Sequence, residues 1–279
     1  MKTLLKTGLY ELVDGKHGRF LSNPKDMYMG RSMIAYGEFS ELEWVLLDQM
    51  IRPGQVVVEA GANMGTHTIP IARKLGRGGM IYAFEPQPLI FQQLCSNVAL
   101  NDLVNVHAMN AGCGAETEWM NLARADPAHE TNFGAIRLRN LAGDAPSRVR
   151  IERLDDALDP KHFHLLKADV EGMEVEVLKG ADGLIKKFRP LLYLEANKDD
   201  APPIIEHVLG LDYKMWWHLP PMFNPKNHAG NSENLFGNIV SKNVLCIPAE
   251  RNLKVKGLRE VAGPEDHPGL WAQQKKPKT

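Results

Sequence analysis

Five acidic residues stand where apolar runs end and turns begin: Glu59, Glu85, Asp169, Glu171 and Glu195. Val56-Val57-Val58-Glu59-Ala60 is a β-branched run that reads as a buried parallel strand. Met80 to Phe84, Leu165 to Ala168 and Leu191 to Leu194 read the same way and stop just short of Glu85, Asp169 and Glu195. In an open α/β sheet a ligand lies beyond the carboxyl ends of the strands, so these carboxylates converge on one place. There they can accept hydrogen bonds from ribose, pair with an ammonium, or take a proton. Each also has a plainer role as a solvated strand end, or, for Asp169 and Glu171, as a cap on the next helix. For Glu171, beside Gly172, the two roles stand level. Asp169 follows an apolar run, where a carboxylate must be deliberately housed, and is read as a site residue.

The turn after the first of these strands narrows the choice of ligand. Glycine there lets the backbone approach a ligand closely. A dinucleotide fingerprint needs glycine at positions 61, 63 and 66, whereas this chain has Gly61, Asn63 and Thr66, with Gly65 between. Glu59 would repel a diphosphate but suits the ammonium of a zwitterion. Glu85 can accept from both ribose hydroxyls. Glu59, Gly61, Asn63, Gly65, Thr66 and Glu85 together describe a site for a nucleoside bearing an amino acid.

Several elements must hold these residues. Phe39 to Met50 has helical spacing, with Ser40 and Glu43 forming a capping box. Helical stretches at Ile69 to Leu75, Leu89 to Leu100, Met173 to Lys179 and Pro203 to Leu209 alternate with strands, including Val104 to Met109, Tyr213 to His218 and Asn243 to Ile247. That alternation predicts a doubly wound, mostly parallel α/β sheet of seven strands, preceded by a helical N-terminal extension. Glu118 to Leu122 and Arg148 to Arg153 read as further strands around a polar loop, Asp126 to Ala145. The expected division is an extension or lid at 1–50, the α/β domain at 51–250 and a polar, loosely ordered tail at 251–279.

These blocks resemble the FkbM family of methyltransferases over roughly residues 30–248. Val57 to Gly65 is similar to the family's first cofactor motif, and Ala83-Phe84-Glu85-Pro86 to its ribose-binding strand end. Leu166-Lys167-Ala168-Asp169-Val170-Glu171-Gly172-Met173-Glu174 through Ala181 resembles its signature at nearly every position. Leu192-Tyr193-Leu194-Glu195 matches the strand that follows. Asn132-Phe133-Gly134 resembles a motif of the variable loop and brings Asn132 and Phe133 into the candidate acceptor site. Many members have Asp at the position of Glu59; the charge is kept. The resemblance implies a Rossmann-like class I methyltransferase topology and S-adenosyl-L-methionine as methyl donor, with Asp169 also near it. It further implies mostly O-methylation of a small acceptor, a sugar or glycan or a natural-product hydroxyl.

A sulfonium donor is already activated, so the protein mainly aligns the acceptor. A neutral hydroxyl needs a base, and Asp169, Glu171, Glu195 and His218 are the candidates, without a choice among them. His218 opens a loop in which Asn224 and Asn227 are interleaved with aromatic rings, a mixture suited to a polyhydroxylated acceptor; the plainer reading is a surface loop with aromatic anchors. Tyr36 and Glu38 precede the capped helix and either fold over the ligand or simply start that helix. His218 and His228 lack a third ligand in register, so no metal site is expected.

Composition sets the outer bounds. A net charge of -1 offers no field for nucleic acid or an anionic membrane. Three cysteines without a CxxC pair argue against disulfides or zinc, and each is read as a small buried hydrophobe. No signal peptide or membrane-length apolar run is visible, and a cytoplasmic protein is expected. Lys275-Lys276-Pro277-Lys278 reads as a solvated tail. Two other readings compete: a nicotinamide-dependent oxidoreductase, which the missing third glycine disfavours, and a non-catalytic protein that binds S-adenosylmethionine.

Overall fold

The N-terminal segment is not purely helical. It opens with an antiparallel meander, β1 (Lys2–Thr7), β2 (Tyr10–Gly15) and β3 (Gly18–Ser22). Gly15 pairs with Gly18 to close a two-residue hairpin, and Val13 and Phe20 are buried partners across it. Only then come α1 (Met29–Tyr36) and α2 (Glu41–Met50). Ser40, ahead of α2, has a left-handed backbone (φ 46°) and makes no bond to the helix amides. Its hydroxyl donates instead to Glu43 Oε1 at 2.6 Å, so the expected capping box becomes a side-chain pair. The computed structural model describes residues 2–124, 126–134 and 147–271. Part of the predicted loop at 126–145 and the basic run at 275–278 lie outside the described residues.

The central chain alternates as expected: β4 (Val56–Ala60), α3 (Thr68–Leu75), β5 (Met80–Phe84), α4 (Pro88–Leu100) and β6 (Val106–Met109). A small sheet follows, in the order β7-β9-β8, from β7 (Ala111–Cys113), β8 (Glu118–Leu122) and β9 (Ser147–Glu152). Then come α5 (Leu154–Ala157), β10 (Leu165–Ala168), α6 (Glu174–Gly180), α7 (Asp182–Phe188), β11 (Leu191–Glu195), α8 (Ala201–Gly210), β12 (Tyr213–His218), β13 (Asn243–Pro248) and β14 (Arg259–Glu260). The sequence reading missed α5, α7 and β7. All three are too short for a hydrophobic period to register.

The main sheet runs β14-β12-β13-β11-β10-β4-β5-β6. Its seven expected strands are joined by the two-residue β14, which pairs with Trp216 and Trp217. β13 is antiparallel to both neighbours, while β4, β5, β6, β10 and β11 are parallel. The chain leaves β4 toward β5 and returns on its other side at β10, so β4 and β10 flank the switch point where such sheets bind ligands. Residues 259–271 are anchored rather than loose: buried Asp266 accepts hydrogen bonds from Arg259, the Ala262 amide and the Trp271 indole.

The pleat sends alternate residues to opposite faces. Val58, Leu166, Ala168, Leu192 and Leu194 pack under α6, α7 and α8. Val57, Leu165 and Tyr193 pack with Leu47 of α2 and Ile71 of α3. Glu59 and Lys167 share that second face, in register with each other. Cys113 and Cys246 are buried, but Cys95 is exposed on α4 and is not the core residue expected.

Candidate functional site

Gly61 begins the turn after β4 with φ +83°, and a Cβ there would lie 1.9 Å from the carbonyl oxygen of Asp169. No side chain fits, which is why two strand ends can approach across the switch point. Asn63 is also left-handed (φ 48°), and its amide N donates to Glu85 Oε2 at 2.9 Å. The Gln87 amide donates to Glu85 Oε1 at 2.8 Å. Glu85 therefore ties the β4 turn to the start of α4, and burial pushes its pKa up to about 7. Gly65 (φ +91°) lies behind the turn, close to Leu94.

Glu59 is buried at the end of β4. Thr68 donates its hydroxyl to Oε2 at 2.6 Å, and Lys167 Nζ lies 3.6 Å from Oε1. Burial pushes the Glu59 carboxyl up and Lys167 opposes it. Lys167 Nζ also lies 3.8 Å from Asp169 Oδ2; the lysine side chain is 3% exposed, whereas that of Asp169 is 38% exposed.

Asp169, Glu171 and Glu195 bring carboxylate oxygens within 4.8 Å of one another. Like charges this close cannot all ionise. Burial pushes both Asp169 and Glu195 up, Glu195 further, to about 10, and the two share a hydrogen bond, so at neutral pH a proton is held between them, chiefly on Glu195. Glu195 is thus a donor that steadies Asp169, not a ready base. The spacing would also suit oxygen ligands of a hard cation. In the structure the positive charge beside Asp169 is the Lys167 ammonium. Helix bracing, one reading of Asp169 and Glu171, falls to Glu174, whose carboxylate accepts from the amides of Val170 (2.9 Å) and Gly172 (3.1 Å).

Glu59, Gly61, Asn63, Thr66, Glu85, Asn132, Asp169, Glu171 and Glu195 line one cavity of about 310 Å³. The other candidates do not line it. Phe133 is buried, and its carbonyl accepts from Gln87 Nε2. His218 Nδ1 is 2.8 Å from the hydroxyl of Tyr193. Burial pushes the His218 pKa down, keeping the ring neutral. Tyr36, Glu38, Asn224 and Asn227 form a clip between α1 and the loop at 219–242. Glu38 accepts from Asn224 Nδ2 at 2.7 Å and the His228 amide at 2.9 Å. The Tyr36 hydroxyl donates to the Glu233 carbonyl and accepts from the Leu235 amide, both at 2.8 Å. Asn227 Nδ2 donates to the carbonyls of Asn224 and Asn231 within the loop.

The segments the clip joins also supply apolar lining to the cavity: Tyr28, Met29 and Phe39 from the N-terminal segment, and Met222, Ile239 and Val240 from the loop. Glu38→Ala is expected to free this loop. It removes two charge-assisted bonds, each worth about 1.5–3 kcal/mol. Hydrogen exchange at His228 should accelerate at least about tenfold, while the amides of β13 keep their protection. Unchanged exchange at His228 would remove the clip role from Glu38.

Sequence reading overlooked Lys167, Glu43, His67 and Gln87, all of which line the cavity. Lys167 had a signal: a lysine between Leu166 and Ala168 in an apolar strand needs a buried partner. His67 had none. Burial pushes it down to about 3, and its Nε2 is buried without a hydrogen-bond partner.

A doubly wound sheet whose reversed strands, β13 and the two-residue β14, lie toward one edge, carrying carboxylates at its switch point, is the Rossmann-like methyltransferase architecture. Residues 59–215 match the Methyltransferase FkbM domain, more than half of the 279-residue chain, and the chain belongs to this family. It is similar to Methyltransferase sdnD of Sordaria araneosa, with 33% identity over 156 residues, 45% of this chain and 60% of that protein. It is also similar to Hexuronic acid methyltransferase AglP of Haloferax volcanii, with 27% identity over 139 residues, 48% of this chain and 53% of that protein. The matches thus cover little more than half of these relatives' lengths. Among solved structures, Methyltransferase FkbM from Methylobacillus flagellatus KT aligns with a TM-score of 0.48 and 17% identity, covering 81% of this chain and 48% of that one. Among the described residues, no helix is long and apolar enough to cross a membrane.

Proposed function

We propose that this protein transfers a methyl group from S-adenosyl-L-methionine to a hydroxyl on a small acceptor, a sugar or a natural-product-like molecule. The observation that carries the reading is the pair of carboxylates, Glu59 and Glu85, on either side of the Gly61 turn in one cavity. The donor set fits. Glu85 would accept from the ribose hydroxyls, Glu59 would face the α-ammonium, and the turn at Gly61, Asn63 and Thr66 would admit the ligand's backbone-facing edge. Bound there, the donor supplies an activated methyl group on a sulfonium. The protein's own part is orientation, exclusion of water and removal of one proton. Asp169 is the carboxylate suited to that removal, because it is open to the cavity, paired with Lys167 and hydrogen-bonded by protonated Glu195. Residues 1–50 serve as a cover, contributing Tyr28, Met29 and Phe39, and residues 51–250 as the catalytic domain. The weak net charge favours a small soluble acceptor over nucleic acid.

Thermal unfolding with added ligands tests the donor. S-adenosylmethionine and S-adenosylhomocysteine should raise the midpoint, because a ligand that binds only the folded state stabilises it. NAD and NADP should leave it unmoved, since Thr66 stands where a third glycine is required and Glu59 faces the turn. The opposite ranking would favour an oxidoreductase. A screen of hydroxylated acceptors with labelled donor then tests transfer.

A further inference from the structure

Lys167 is a charged residue in the middle of the main sheet, paired with Asp169 but also with a second carboxylate. Its register neighbours are Glu59 on β4 and Tyr193 on β11. Its ammonium lies 3.6 Å from Glu59 Oε1 and 3.8 Å from Asp169 Oδ2, almost midway between the two. The side chains of Glu59 and Lys167 are 1% and 3% exposed, so water does little to screen this group. Glu59 and Asp169 both line the cavity.

We propose that Lys167 is a positioning residue that holds Glu59 and Asp169 ionised together, so that the donor-binding carboxylate and the proton-accepting carboxylate share one buried cation. The proposal rests on the donor and base assignments made for those two carboxylates. Lys167 is the cation in ion-pair contact with both carboxylates, while Lys242 also lines the cavity. From α2, Glu43 adds a third negative charge that acts on the lysine. His67, at the start of α3, is held neutral by burial. Thr68 contributes a hydroxyl to Glu59, Tyr193 a buried phenol, and Glu85, across the turn, another carboxyl. A buried carboxylate without a cation takes up a proton and loses its grip on an ammonium. Sharing also makes the pair competitive: removing either carboxylate gives the other more of the lysine.

The test reads donor-site ionisation without needing an acceptor. Calorimetry with S-adenosylhomocysteine is run from pH 5.5 to 9 on the wild type, Lys167→Met, Lys167→Arg and Asp169→Asn. The carboxylate form of Glu59 is the one that binds, so affinity falls as pH drops through its pKa. In Lys167→Met that acid limb should move up by about one pH unit. Lys167→Arg should return it toward the wild-type position, because the cation is restored. In Asp169→Asn it should move down, because Glu59 then has the lysine to itself and a like charge is gone. Glu85 also feels the charges of Asp169 and Glu59, so the four proteins are compared in a Glu85→Gln background, where its own limb is absent. Acid limbs that coincide in wild type, Lys167→Met and Asp169→Asn overturn the proposal. If Lys167→Met does not fold, the downward shift in Asp169→Asn decides alone, and its absence is equally fatal. A wild type that binds no S-adenosylhomocysteine at any pH would instead remove the donor reading, a failure visible before any variant is compared.

Discussion

Glu85→Ala is expected to weaken S-adenosylhomocysteine binding at least tenfold in a protein that still folds. Two losses combine. The carboxylate that would accept the ribose hydroxyls disappears, and charge-assisted bonds of that kind contribute about 1.5–3 kcal/mol each, against about 1.4 kcal/mol for a factor of ten. The amides of Asn63 and Gln87 also lose their acceptor, so the left-handed turn that shapes the cavity loosens. Glu85→Gln separates the two, since its single side-chain carbonyl can still brace one amide while the charge is gone. The carboxyl is pushed up to about 7 by burial, so it is protonated below that value and ionised above it. Wild-type affinity should therefore rise as pH climbs through about 7, and the Glu85→Gln protein should lack that component. Calorimetry checks the affinities and circular dichroism the fold. Undiminished affinity in folded Glu85→Ala would end the ribose assignment.

Asp169→Asn is expected to lower turnover by about 10²–10⁴-fold, the usual effect of losing a general base. Its affinity for S-adenosylhomocysteine at pH 8 should stay within a few-fold of wild type, because a base and a donor contact fail in different kinetic terms. The structure sharpens the choice among the four candidates. Glu195 keeps its proton, and His218 is a neutral ring bonded to Tyr193 and outside the cavity lining. Glu171 lies at a left-handed position (φ 56°) in the turn after β10. Asp169 has both a cation beside it and an open side chain. Single-turnover rates with labelled donor and an acceptor found by screening give the comparison. Near wild-type turnover in Asp169→Asn would move the base to Glu171, or would mean that the acceptor is nucleophilic without one.

Much of the fold was legible because its signals are local. β-branched runs ending in Glu59, Glu85, Asp169 and Glu195, alternating with helical stretches, are enough to predict a doubly wound sheet and the edge at which ligands bind. Missing glycines at 63 and 66, together with Glu59 and Glu85 at the strand ends, turned the reading from a dinucleotide to an adenosyl amino acid. The opening β-meander was not recovered, because its short strands have weak alternation and are stabilised by α4: the Leu21 amide donates to Asn97 and Gln93 donates to the Leu21 carbonyl.

What the sequence by itself determined was which chemical groups end up at the sheet's carboxyl edge, since strand ends and turn glycines are written in neighbouring residues. Tertiary structure decided what each group does there, because that depends on distances between residues far apart in the chain. Glu38 meets Asn224 and the His228 amide, and so becomes a clip instead of an acceptor contact. Glu195 is pressed against Asp169 and Glu171 and becomes a proton holder. Lys167, two residues before Asp169 in the chain, reaches Glu59 only because β10 lies beside β4 in register. Burial and like-charge repulsion set these roles, and neither exists until strands from opposite halves of the chain are packed together.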